Sequence, residues 1–352
     1  MRGTDAEMID IKSMFKAELA ETLKCDGYPA YRAEQVYLWL AKGVSSFEQM
    51  LNVPKDLRKQ LSEKYYIASA EVERKFSSKV DETVKYLFRL RDGEFVESVL
   101  MKYKHGYTIC ISTQVGCKMG CKFCATGKGG FVRNLTASEM LAQIQSAQLD
   151  NDIRISNVVL MGMGEPLDNY DNVLRFLRLV SAPEGLNIGM RHISLSTCGI
   201  IDKMRALANE RLQLTLSVSL HAPNDDIRNQ LMPINKRFGV EELLEACRFY
   251  IEKAGRRISF EYAMISGVND DDACANELAR KLAGMLCHVN LIPVNGIDAA
   301  KSTYKKSSRE RLDSFVRILA KRGITATVRR TLGADINASC GQLRGKAKNQ
   351  VV

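Results

Sequence analysis

Along residues 1 to about 80 the apolar positions recur at helical spacing. "MIDIKSMFKAELAETL" places Ile9, Ile11, Met14, Phe15 and Leu19 largely on one helical face. "YRAEQVYLWLAKG" does the same with Val36, Leu38 and Leu40 and ends at a glycine cap, and "PKDLRKQLSEKY" opens with Pro54, which suits a first helical turn. From roughly 81 to 113 the period changes to two: "TVKYLFRL", "EFVESVLMKY" and "YTICIST" alternate apolar and polar residues around the turns "RDGE" and "KHG". That pattern predicts a β-hairpin or meander.

From about 135 to 330, short apolar strands alternate with amphipathic helices. "TASEMLAQIQSAQL" opens on Thr136 and Glu139 in capping-box spacing, and "NVVLMGMGEP" reads as a buried strand running into a glycine turn. Strands without polar alternation, joined by helices, predict a parallel sheet covered on both faces. Six or seven βα units are present, too few for an eight-fold barrel. The predicted class is α/β: a partial parallel (β/α)6-type barrel with a small helical N-terminal domain and a short β-meander leading in. The expected divisions are 1–80 for the helical accessory domain, 81–108 for the meander, 109–330 for the barrel and 331–352 for an irregular C-terminal tail.

Composition adds three constraints. With 45% hydrophobic and 26% charged residues, no apolar run of about 20 residues and no apolar core near the N-terminus, the chain reads as cytoplasmic, with no membrane span. In a reducing compartment its ten cysteines are core residues, metal ligands or reactive thiols rather than a disulfide framework. A net charge of +10 points to a polyanionic partner, and Lys55, Arg58, Lys59 and Lys64 form either a solvated face or an RNA contact.

The chemistry concentrates in "CISTQVGCKMGCKFCATGKGGF", where Cys117, Cys121 and Cys124 are spaced C-x3-C-x2-C. A structural zinc site needs four ligands, and Cys110 or His105 is available as the fourth. Three thiolates instead leave one iron of a [4Fe–4S] cluster open to a ligand. Phe123 and the glycines Gly127, Gly129 and Gly130 suit a tight loop around a bulky group. Strand ends supply further candidates, since a parallel barrel keeps its chemistry there: Gly164 and Glu165, Ser196, then Ser219, Leu220 and His221, and Asn295. "GMG" is not a dinucleotide fingerprint, because Pro166 interrupts the helix start. Cys340 lies in the polar tail "NASCGQLRG" and reads as reactive, whereas Cys110 in "TICIST" reads first as core packing. Glu97, in "EFVESVL", alternates with Phe95, Val96 and Val99 and reads as a solvent-facing strand residue.

C-x3-C-x2-C after a strand resembles the radical S-adenosylmethionine (SAM) superfamily. "CISTQVGCKMGCKFCATGKGGFVRNLT", "GMGEPLDN", "SLHAP", "LMPIN", "NLIPVN" and "DINASCGQLRG", in that order, resemble the radical-SAM RNA adenine methyltransferases of the RlmN/Cfr type over nearly the whole chain. The resemblance implies a [4Fe–4S] cluster on Cys117, Cys121 and Cys124, and SAM held by Gly164, Glu165, Ser196, Ser219, Leu220, His221 and Asn295. It implies two SAM molecules per turnover: one methylates Cys340, and the other yields a 5′-deoxyadenosyl radical that takes a hydrogen from that methyl group. The methylene radical then adds to the electron-poor adenine carbon, a base matching Glu97 removes the ring proton, and Cys110 attacks Cys340 to release the RNA. The implied partners are 23S rRNA and tRNA, an electron donor such as flavodoxin or ferredoxin, and a thiol reductant for the resulting disulfide; the chain is expected to be a monomer. Pro166 in "GMGEPLDNYDNV" resembles the branch that methylates C2, the C8 branch being the alternative. Asn337 and Ser339 depart from the more usual Asp and Ala beside the tail cysteine. A zinc-stabilised, non-catalytic RNA-binding protein is the reading from a different class.

Overall fold

The N-terminal apolar pattern does not start a helix at Met8. In a computed structural model, which describes residues 8–294 and 304–343, the chain enters as a short strand, β1 (Ile9–Asp10), and a 3-10 turn. Helix α1 (Lys16–Cys25) begins only after Phe15, whose extended backbone donates its N–H to the Glu18 carboxylate at 2.8 Å. Helix α2 (Ala30–Ala41) buries Ala33, Val36, Tyr37 and Leu40, an i, i+3, i+4, i+7 stripe. Leu38 falls off that stripe and is 47% exposed, contrary to its expected place on the apolar face. Helix α3 (Lys55–Lys64) buries Leu57 and Leu61 and leads into β2 (Tyr65–Tyr66), which pairs in parallel with β1. These elements share a core of their own built on Ile11, Leu19, Val36, Leu40, Met50 and Leu61.

The helical region ends at Lys64, and residues 71–77, read above as helical, form strand β3 (Glu71–Ser77). Its charged, solvated side chains suit the edge it occupies, where charge discourages pairing with another sheet. β4 (Val84–Arg89), β5 (Phe95–Tyr103) and β6 (Gly106–Cys110) complete an antiparallel meander. A small ribbon of β7 (Gln114–Gly116) and β8 (Phe131–Asn134) brackets the cysteine loop and its short helix α4 (Ala125–Lys128). The capping box anticipated at Thr136 is present: the Thr136 hydroxyl accepts the Glu139 N–H at 3.3 Å, opening α5 (Ala137–Asn151).

Then follow β9 (Ile155–Leu160), α6 (Tyr170–Ser181), β10 (Ile193–Thr197), α7 (Ile201–Asn209) and β11 (Thr215–Ser219). After them come α8 (Asp225–Leu231), α9 (Val240–Ala254), β12 (Ile258–Met264), α10 (Asp272–Lys281), β13 (Cys287–Pro293), α11 (Arg309–Lys321) and β14 (Ala326–Val328). Among the described residues one sheet runs β14-β13-β12-β11-β10-β9-β6-β5-β4-β3 without closing. Every ladder from β6 to β14 is parallel, as the unalternating apolar strands require. The meander is therefore continuous with the barrel sheet through the β6–β9 ladder, and the two share one core, from Tyr86 and Phe88 to Phe260 and Phe315.

Candidate active site

The carboxyl ends of the parallel strands surround a cleft of about 960 Å³ open at its mouth. Cys117, Cys121 and Cys124 line it from the loop between β7 and α4. Gly164 and Glu165 reach it after β9, Ser196 from β10, Ser219 and His221 from the end of β11, and Cys340 from the tail. Residues scattered over the sequence thus meet in one place, where α/β barrels hold ligands. Asn295 lies outside the described residues.

The cysteine loop is pinned by main-chain bonds: Cys117 N–H to the Gly130 carbonyl (2.7 Å), Lys122 N–H to that of Leu231 (3.0 Å) and Ala125 N–H to that of Gly341 (2.7 Å). Burial pushes the Cys117 thiol up to about 12 and the Cys121 thiol higher still, so without a cation these sulfurs are neutral. The three sulfurs feel one another electrostatically, yet among the described residues no three His, Cys, Asp or Glu side chains converge on the position of a single metal ion. Zinc, at about 2.3 Å from each sulfur, demands such convergence. A cluster that binds each thiolate through a different iron does not, and the three-thiol loop fits that group. Both residues considered as a fourth zinc ligand lie apart from the cleft lining: Cys110 is buried at the end of β6, and His105 stacks on Tyr103 at 5.7 Å.

Gly164 has φ +105°, and a Cβ there would sit 2.8 Å from the Gln114 backbone nitrogen. Gln114 in turn accepts the Glu165 N–H at 2.8 Å. Gly164→Ala is therefore expected to cost about 1–3 kcal/mol in strain alone and to distort the strand end carrying Glu165. A melting temperature equal to that of the wild-type chain would refute this. The Glu165 carboxylate is fully buried, accepting the Cys198 N–H at 2.7 Å and the Leu167 N–H at 3.0 Å, and burial raises its pKa. Such a carboxylate favours a cationic partner arriving in the cleft. Cys198 lines the cleft beside it.

His221 adopts φ +57° and accepts the Ala263 N–H on Nδ1 at 2.8 Å, which leaves its proton on Nε2. Burial, followed by the nearby Arg228, lowers it to about 3, so it stays neutral and stacks edge-on against Phe123 at 4.9 Å. Leu220 is not among the residues lining the cleft: it is buried, its N–H bonds Glu261 and its carbonyl bonds Arg228.

Cys110 ends β6, and burial, with Cys340 as the second cause, pushes its thiol up to about 12. The Arg329 guanidinium acts on both thiols and lies 3.8 Å from the buried Glu261 carboxylate. Cys340 also lines a smaller cavity of about 400 Å³ with Tyr103 and Arg330. Glu97 is buried at 6% exposure, against the solvent-facing reading. It does not line the cleft; strand alternation puts it on the sheet face of Val99, the partner of Cys110. Sequence reasoning missed Arg228, Arg329 and Glu261. A signal existed for two of them: Arg228 stands three positions before Leu231 in "DDIRNQLMPIN", and Glu261 interrupts the apolar strand "ISFEYAM".

A parallel partial barrel with a three-cysteine loop at its carboxyl end defines a radical SAM protein, and the family model "Radical SAM superfamily" matches residues 111–276. A second, "Ribosomal RNA large subunit methyltransferase N-terminal domain", matches residues 9–67. The chain is 55% identical, over 96% of each chain, to the "Probable dual-specificity RNA methyltransferase RlmN" of Clostridium tetani (strain Massachusetts / E88). It is 53% identical to the protein of the same name from Alkaliphilus oremlandii (strain OhILAs), over 97% of this chain and 98% of that one. The crystal structure of a radical SAM methyltransferase from Sphaerobacter thermophilus superposes with a TM-score of 0.91 at 45% identity, covering 96% of this chain and 100% of that one. The chain belongs to the RlmN family of radical SAM RNA methyltransferases.

Proposed function

We propose that this enzyme methylates C2 of adenosine in 23S rRNA and in tRNA, with Cys340 as the methyl carrier. The observation that supports this reading is Cys340 from the tail lining, with Arg329, the same cleft as the three-cysteine loop and Glu165, with the buried thiol of Cys110 within electrostatic reach of Cys340. Cys117, Cys121 and Cys124 hold a [4Fe–4S] cluster, and two SAM molecules are consumed per turnover. When bound, the cluster and SAM supply one-electron reduction, a methyl group and a hydrogen-abstracting adenosyl fragment.

The chain's own groups do the rest. Glu165, Gly164, Ser196, Ser219 and His221 line the SAM position, with the buried carboxylate suited to the substrate ammonium. Cys340 takes a methyl group as a thioether and presents it to the adenine. Glu97 accepts the ring proton. Cys110 then attacks the Cys340 sulfur: an S–S bond forms, the S–CH2 bond breaks, and its electron pair stays with the adenine methylene, which takes up a proton to become methyl. A thiol reductant returns the disulfide to two thiols. The protein acts in the cytoplasm as a monomer, with a flavodoxin or ferredoxin as electron source; among the described residues no helix is long and apolar enough to cross a membrane.

Mass spectrometry of nucleosides tests the assignment. Ribosomal RNA incubated with anaerobically reconstituted protein, SAM and a reductant is expected to gain 2-methyladenosine. 8-Methyladenosine would overturn the choice of carbon and keep the carrier.

A further inference from the structure

Arg228 is among the largest fully buried side chains of the protein. A buried guanidinium ordinarily sits on a carboxylate, because an uncompensated charge inside a protein is costly. Here its bonds go to neutral groups: the carbonyls of Cys198 (2.7 Å), Ser219 (3.1 Å) and Leu220 (3.1 Å), and the side-chain oxygen of Asn235 (2.9 Å). Asp225 is reached only behind Asn235, whose amide donates to it at 2.9 Å.

The surroundings point to what compensates the charge. Arg228 projects from α8, whose last residue, Leu231, accepts the Lys122 N–H of the cysteine loop at 3.0 Å. Ile227 and Leu231 belong to the small apolar cluster that packs around Cys121 and Phe123. On the other side, the Cys198 main chain links Arg228 to Glu165, its carbonyl accepting from the guanidinium and its N–H donating to the carboxylate, each at 2.7 Å.

We infer that Arg228 is the counter-charge of the iron–sulfur cluster, a positioning residue whose positive charge raises the cluster's reduction potential. This rests on the assignment of the cluster to Cys117, Cys121 and Cys124. An oxidised [4Fe–4S] core on three thiolates carries a net charge of about −1, and reduction adds another negative charge, so a fixed cation on the helix packed against the cysteine loop favours the reduced form. Glu165 remains free to meet the cation of the substrate.

The test uses full-length protein, anaerobically reconstituted, with the cluster potential read by EPR-monitored redox titration. Arg228→Gln is expected to disfavour reduction about tenfold, a midpoint about 59 mV more negative for one electron. Arg228→Lys, which keeps the charge and loses the fork of hydrogen bonds, is expected to retain the wild-type potential. An unchanged midpoint in Arg228→Gln at equal iron content would overturn the inference, as would Arg228→Lys behaving like the glutamine variant. Should Arg228→Gln not load a cluster, the rise in melting temperature on loading decides: a rise equal to wild type in Arg228→Lys supports the charge role, and its loss overturns it. A wild-type protein that forms no cluster under the same conditions sinks the cluster assignment itself, a different failure.

Discussion

Cys340→Ala is expected to abolish methylation of adenosine while leaving iron content and folding unchanged. The tail that carries Cys340 is anchored by other bonds: Asp335 takes the Ser78 hydroxyl (2.7 Å) and the Lys79 N–H (2.8 Å), and Leu343 takes the Thr126 hydroxyl (2.8 Å). None of these uses the thiol, so a small apolar side chain is accommodated at a half-buried position. What disappears is the only sulfur that the tail brings to the cleft, and with it the proposed carrier of the methyl group. Cys340→Ser should be equally inactive, because a hydroxyl at neutral pH is a far weaker nucleophile than a thiolate. Nucleoside mass spectrometry reads both. Wild-type levels of 2-methyladenosine from either variant would remove Cys340 from the mechanism. Loss of iron in parallel would make it a cluster ligand instead.

Periodicity carried the fold a long way, for a physical reason. The strand "NVVLMGMGEP" and the helix after it announce themselves because each must bury a face at its own spacing, 2.0 or 3.6 residues per repeat. Glu139 at capping distance from Thr136 is a local signal of the same kind, and the bond is there. The pattern failed where tertiary pairing decided. Ile9–Asp10 takes an extended path because Tyr65–Tyr66 offers a partner, and residues 71–77 become an edge strand because β4 offers a ladder. The site divides likewise. Three cysteines within one loop are legible at sight, since a cluster needs its thiols close in sequence or close in space. That Cys110 and Cys340 come within electrostatic reach is decided by the barrel: β6 and the segment after β14 bring together residues from distant parts of the chain. Arg228 was passed over because a charge on a short polar helix usually faces water, and only the structure shows it turned inward to hold the ends of β10 and β11.

Cys110→Ala is expected to trap the reaction part-way, accumulating a protein–RNA adduct that survives denaturation and runs as a retarded band on a denaturing gel. In the proposed mechanism Cys110 supplies the sulfur that frees the RNA, and without it the S–CH2 bond has nothing to break it. The same thiol sets a pH dependence. Burial lifts it to about 12, with the neighbouring Cys340 adding to the rise and Arg329 only partly opposing it. At neutral pH the group is therefore a thiol, and attack needs its thiolate. Below that pKa the thiolate fraction grows about tenfold for each unit of pH. The rate at which wild-type protein releases methylated RNA from the adduct should climb by about the same factor per unit between about pH 7 and 9. The sign follows from the direction of the shift: a pKa depressed below 7 would make release insensitive to pH over that range. A flat profile in single-turnover release would mean that Arg329, or RNA in place, brings the thiol down before it attacks. The rising profile would show that release is limited by the small population of thiolate that a dry β6 strand end allows.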